Sequence, residues 1–198
     1  MSITAQIDRL DQSLSDVGFE RSHTVHTGAL IRNEEEYRGL PVELRKAVFT
    51  RIYAFSVKAP ISYTSFCLRR REHPEPQTLI AALSRALAEF LRENATYFLS
   101  FDRVVVYYDN GQHQITEVLN TVLNSFFFRP QFKNVQPAQY RLFQTADFFC
   151  ALELLRAKSA DNALSRSDLY FFRTTQRLRK DYLRKIETRR FPRRPPMP

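Results

Sequence analysis

Residues 103–109 read Arg-Val-Val-Val-Tyr-Tyr-Asp and run into Asn110-Gly111. Three β-branched residues and two tyrosines in one unbroken run make this the clearest strand of the chain. A run with no polar alternation implies burial on both faces, as in a parallel sheet. The Asn-Gly pair that follows is a turn signal and ends the strand. Downstream, residues 113–127 place Ile115, Val118, Leu119, Val122, Leu123 and Phe126 on one helical face. A weaker strand is expected within 129–139.

The same reading extends to both ends. Ile3, Ile7, Leu10, Leu14 and Val17 make residues 3–18 an amphipathic helix. Residues 19–33 show no clear period, hold His23, His26 and Gly28, and read as a loop. Residues 34–58 carry an apolar face from Tyr37 to Phe55, with the helix proper starting near Pro41. Ala59-Pro60 breaks it, and the aromatic and hydroxyl-rich run 61–68 reads as a second strand. Residues 77–93 and 142–157 are further helices. Ser165 or Ser167 is a fitting N-cap for a last helix over 168–190. Pro192, Pro195, Pro196 and Pro198 leave the end extended or disordered. Strands alternating with helices predict an α/β fold, a mixed sheet flanked by helices. The organisation expected is an α/β domain over 1–167 and a basic C-terminal helix with a Pro/Arg-rich tail over 168–198.

Composition excludes several classes. With four glycines in 198 residues there is no Gly-rich phosphate cradle, and no P-loop, dinucleotide fingerprint or HExxH motif occurs. Cys67 and Cys150 lie in apolar runs without metal-ligand spacing and are expected to act as small hydrophobes in a reducing compartment. The opening MSITAQIDRLDQSL lacks an apolar signal core, and no run is long enough to span a bilayer. A cytoplasmic protein without membrane contact is therefore expected.

The net charge of +9 is concentrated. Residues 173–198 hold ten basic residues and only two acids, Asp181 and Glu187. Such a belt is the electrostatic footprint of a polyanion binder, with Arg173, Arg177, Arg179, Lys180, Arg184 and Lys185 as candidate nucleic-acid contacts. The alternative is a solvated helix face with a ragged tail.

Two carboxylates could carry chemistry. Asp109 ends the strand, where ligands bind in open α/β sheets, although an Asp opening a turn has the same local pattern. Asp147 stands in the apolar run Phe143-Gln-Thr-Ala-Asp-Phe-Phe-Cys-Ala-Leu. A carboxylate there needs a compensating partner, either a divalent metal or an arginine, or a shifted pKa. Asp109 and Asp147 together could hold Mg²⁺ or Mn²⁺ against a phosphodiester, with further carboxylates required from other elements. His26 could serve as a general acid or a ligand, or be a locally bonded surface residue.

Three segments carry a resemblance. His26-Thr-Gly-Ala-Leu-Ile-Arg-Asn-Glu-Glu-Glu-Tyr37, Val-Val-Val-Tyr-Tyr-Asp109-Asn-Gly and Leu142-Phe-Gln-Thr-Ala-Asp147 resemble, in order, motifs of the family called domain of unknown function 3800. The resemblance runs from about residue 3 to about residue 187. It implies a ribonuclease H-like fold and metal-dependent nucleic-acid chemistry, with Asp109, Asp147 and His26 at the matching positions. Family members open on an Asp-Glu-Ser-Gly strand, whereas this sequence starts at the helix expected after it. The resemblance thus implies missing or separately supplied N-terminal strands, and a partner strand or second copy covering the open edge of 104–108. Two functions remain open: a metal-dependent nuclease, and a non-catalytic module that binds nucleic acid or a partner through its basic C-terminal helix.

Overall fold

The computed structural model describes residues 2–20, 23–108, 113–135 and 140–191. The chain is mixed α/β and divides into two compact units, Met1–Ser65 with Pro137–Pro198, and Phe66–Gln136. The expected boundary at 167/168 falls inside the first unit.

The second unit is a β–α–β crossover with a helix before it. Strand β1 (Val105–Tyr108) pairs in parallel with β2 (Gln131–Asn134), Val105 opposite Gln131 and Tyr108 opposite Asn134. Parallel neighbours require a crossover, and the helix His113–Phe126 supplies it. This helix, α6, packs on α4 (Pro76–Glu93) through Leu91, Val118, Val122, Leu123 and Phe127, and the short α5 (Ala95–Phe98) follows α4. The parallel pairing follows the sequence reading, but burial of the strand on both faces does not. Val105, Val106 and Tyr108 are only half-buried and Tyr107 is 45% exposed. A sheet with just two strands among the described residues has no inner strand, so each strand has an open edge.

The first unit is helical. Helix α1 (Ile3–Ser15) lies against α3 (Val42–Lys58), and α2 (Thr27–Arg32) touches α3, α7 (Arg141–Ala160) and α8 (Arg166–Phe172). Phe49 of α3 is the hub of the core. Its ring lies 5.3–5.6 Å from those of Phe148, Phe171, Phe172 and Tyr182. Aromatic pairs at these separations add roughly 0.5–1.5 kcal/mol each beyond the area they bury.

Three elements differ from the sequence reading. Residues 27–32, expected as loop, are helical because distant groups hold both ends of a helix too short to persist alone. The Asp147 carboxylate accepts from the Thr27 N–H, Arg45 donates to the carbonyls of Leu30 and Ile31, and Asn33 closes the helix in the left-handed region at φ 61°. Residues 61–68 form no strand. Tyr63 alone makes a parallel bridge, exchanging backbone hydrogen bonds with Arg189 and Phe191 on either side of Arg190. The expected helix 168–190 is broken at Arg173, where φ is 68°, and resumes as Thr175–Arg177, a π-helical turn Leu178–Leu183 and Arg184–Glu187. The wider π turn brings Leu178 and Leu183, five residues apart, onto one side. Both are buried with Ile186 in the core, so this segment is an integral part of the first unit rather than an appendage.

The start of α8 follows the sequence reading. The Ser165 hydroxyl accepts from the Asp168 N–H at 3.1 Å, while the Ser165 N–H donates to the Asp168 carboxylate at 2.9 Å. This reciprocal pair satisfies two donors that the helix start would otherwise leave open. Ser165→Ala is expected to lower the unfolding free energy by about 1 kcal/mol in urea denaturation.

Tyr63 joins the bridge to α7. Its hydroxyl donates to Glu153 at 2.7 Å, its ring stacks on Phe149 at 4.0 Å, and Arg190 pairs with Glu153 at 2.8 Å. Burial, then the Glu153 carboxylate, push the Tyr63 pKa upward, and burial raises Tyr53 to about 12. A phenol that is harder to ionise in the folded state contributes stability below its unfolded pKa of about 10, and that contribution is lost as pH rises beyond it. Stability should therefore fall from about pH 10 upward, with a shallower slope in Tyr63→Phe, measured as urea midpoint against pH.

Candidate functional site

Each sequence candidate has a definite standing. Asp109 lies outside the described residues. Asp147 is half-buried on α7, and one of its oxygens accepts from the Thr27 N–H at 2.7 Å. One partner of this carboxylate is therefore a backbone amide, which the sequence did not indicate. His26 immediately precedes Thr27 and is exposed. Its N–H donates to the Tyr37 hydroxyl at 3.0 Å, which in turn donates to the Thr24 carbonyl. The structure thus brings His26 and Asp147 to the same end of α2. Cys67 and Cys150 are exposed rather than core residues, and burial together with Asp147 and Glu153 pushes the Cys150 thiol up, away from nucleophilic use.

Among the described residues no cluster of three or more His, Cys, Asp and Glu side chains could hold a metal. Mg²⁺ asks for near-octahedral oxygen coordination anchored by one or two carboxylates. Asp147 offers one carboxylate, already engaged by an amide, and His26 is a softer donor than this ion favours. The described donors do not fit such an ion on their own.

The basic segment is sorted by its contacts. Arg179 is exposed, yet its Nε and Nη2 donate to the hydroxyl and the carbonyl of Ser159, both at 2.9 Å. It fastens the π turn to the C-terminal end of α7. Arg189 donates to the Val57 carbonyl, and Arg190 pairs with Glu153 and Glu187. Arg173, Arg177, Lys180, Arg184 and Lys185 are exposed and form no ion pair among the described residues. Buried Leu178, Leu183 and Ile186 fix the backbone beneath four of them. Beside the π turn an open cavity of about 590 Å³ is lined by Arg156, Arg179, Arg184, Glu187, Ser159 and Thr188, among others.

Sequence reasoning missed that this cationic surface continues onto α3. Burial first, then the Arg173 guanidinium, lower the Lys46 pKa, with Arg45 and Arg177 acting in the same direction and Glu43 against it. The legible signal was Arg45. It stands at helical spacing from Val48, Phe49 and Ile52, so it is a cation on the core-facing stripe.

No family model, curated protein or solved structure matches the chain. Among the described residues no helix is long and apolar enough to cross a membrane.

Proposed function

We propose that this chain is a nucleic-acid-binding module that holds the phosphate backbone on the surface formed by Arg173, Arg177, Lys180, Arg184 and Lys185. One observation carries the reading: five exposed cations on a short helical segment lack any carboxylate partner among the described residues. Like charges kept this close repel one another, and a polyanion relieves that repulsion while releasing its condensed counterions. The test is anisotropy of labelled single-stranded and duplex DNA and RNA across a salt series. A steep linear fall of log affinity with log salt supports the reading, with a slope of roughly −0.7 to −0.9 per phosphate contacted. A flat slope rejects it.

A second reading, nuclease-like chemistry on a ribonuclease H-like fold, rests on the sequence resemblance at Asp109, Asp147 and His26; the structure adds only that Asp147 meets the α2 start next to His26. In that reading Asp109 and Asp147 carry Mg²⁺ or Mn²⁺, and a strand from a partner or second copy completes the sheet at β1. Asp147→Asn keeps an oxygen acceptor for Thr27 but removes the charge. Loss of Mg²⁺- or Mn²⁺-dependent cleavage in that variant, with unfolding unchanged, supports the reading. Absence of cleavage by the parent chain with either ion leaves the chain as a binding module alone.

A further inference from the structure

Arg45 is a buried cation whose counter-charge is missing. Its side chain lies on the core face of α3 and the residue is 4% exposed. Nε donates to the Leu40 carbonyl at 3.3 Å, and Nη1 donates to those of Leu30 and Ile31 at 2.8 and 3.1 Å. These neutral oxygens take up Nε and Nη1. Nη2 makes no hydrogen bond among the described residues and is not sealed from solvent, and no carboxylate there pairs with the guanidinium. A guanidinium held on neutral oxygens keeps its full charge for an anion that reaches its open edge. Arg45 also lines an open pocket of about 300 Å³, together with Arg32, Asn33, Arg166, Ser167 and Tyr170. Arg166 is exposed and makes no ion pair among the described residues, while Arg32 pairs with Glu34 at 2.8 Å. The pocket thus holds two guanidinium groups without an anionic partner, one of them fixed in place by three backbone carbonyls.

We propose that this pocket is a subsite for a terminal phosphate monoester, gripped by Arg45 and Arg166 with the Ser167 and Tyr170 hydroxyls available as donors. Arginine suits the task, because its planar fork matches the oxygens of a phosphate. A monoester at neutral pH carries more charge than a backbone diester, so two unpaired guanidiniums favour a strand end over an internal linkage. The volume sits at the small end of ligand pockets and admits a phosphate with its sugar. The subsite is continuous in charge with the proposed binding surface. The Phe171 ring has Arg45 Cζ at 5.8 Å and Lys46 Nζ at 5.7 Å, and Lys46 in turn feels Arg173 and Arg177. A strand end seated at Arg45 would leave its backbone to run toward the 173–185 cations. This inference deepens the nucleic-acid reading and rests on it only for the identity of the phosphate's carrier.

The experiment uses the full chain and one short single-stranded oligonucleotide in four forms: 5′-phosphorylated, 3′-phosphorylated, both ends hydroxyl, and hydroxyl-ended with inorganic phosphate added as competitor. Preference for one phosphorylated end by about tenfold or more is expected, about one charge-assisted contact's worth. Arg166→Gln should abolish the preference while leaving affinity for the hydroxyl-ended strand within about threefold. Because Arg45 supports α2, its variant is Arg45→Lys, which keeps the charge but loses the fork, with thermal unfolding run beside it. Equal binding of all four forms, or a preference that survives both variants, overturns the proposal. If no oligonucleotide binds but inorganic phosphate or a nucleoside monophosphate raises the unfolding temperature in an Arg166-dependent way, the pocket stands as a free-phosphate site and the nucleic-acid reading fails. If strands bind without end preference and free phosphate gives no Arg166-dependent shift, the pocket fails and the nucleic-acid reading stands.

Discussion

Arg141→Met should lower the unfolding free energy by about 3–5 kcal/mol, the cost of removing one partner from a buried ion pair. Arg141 opens α7 and its side chain is 3% exposed. Nε meets the Asp11 carboxylate at 2.6 Å, Nη1 donates to the His23 carbonyl and to the Gln144 side chain, and Nη2 donates to the Glu20 carbonyl. One guanidinium thus ties α1, the segment after it and the start of α7 into the core. Methionine keeps much of the stem's packing and supplies none of these donors. Removing both charges together should cost less than removing the arginine alone, because no carboxylate then loses the guanidinium it pairs with. Asp11→Asn with Arg141→Met should recover part of the loss, though the carbonyls of Glu20 and His23 stay unanswered. Urea denaturation reads both variants. A loss below about 1 kcal/mol would show that the guanidinium is not gripped in this way.

Asp11 and Arg141 also show where local sequence reading ends. They are separated by 130 positions, and neither breaks the apolar period of its own helix. The helices at 3–15, 76–93, 113–126 and 141–160 were legible because each carries a stripe at the helical period. Strand 105–108 was legible from its β-branched and aromatic run, whereas Gln131–Asn134 has no β-branched residue and only a weak strand within 129–139 was expected there. The helix 27–32 was not, since its ends are held by Asp147 and Arg45 rather than by its own residues. The 61–68 segment misled for the opposite reason. Its aromatic and hydroxyl residues suit a strand, but only Tyr63 makes a β-bridge among the described residues. Asp147 stood out in the sequence as a carboxylate in an apolar run. Sequence could not say that a backbone N–H, from a segment lacking any period, would meet it.

The basic segment raises the same question in electrostatic form, since composition counts charges without showing which are already spent. Arg179, Arg189 and Arg190 are spent on Ser159, Val57, Glu153 and Glu187. The combined variant Arg177→Gln, Lys180→Gln, Arg184→Gln and Lys185→Gln removes four of the five cations that are not. It is expected to weaken nucleic-acid binding by roughly 10²–10³-fold near 0.1 M salt, and to reduce the slope of log affinity against log salt by about 3–4. All four side chains are exposed, so the core formed by Leu178, Leu183 and Ile186 is untouched and thermal unfolding should not move. Arg179→Gln should behave in the reverse manner, changing affinity by less than about threefold while loosening the π turn through the loss of its Ser159 bonds. The exposed Arg70 and Arg71 of the second unit provide the control, because their replacement by Gln lowers net charge and leaves residues 173–185 unchanged. If that pair weakens binding as much per charge as the quadruple variant does, only the net charge matters. In that case the 173–185 surface has no special role. If Arg179→Gln instead proves as costly as the quadruple, its guanidinium must leave Ser159 to reach a phosphate, and the division of the segment into anchoring and binding cations is wrong.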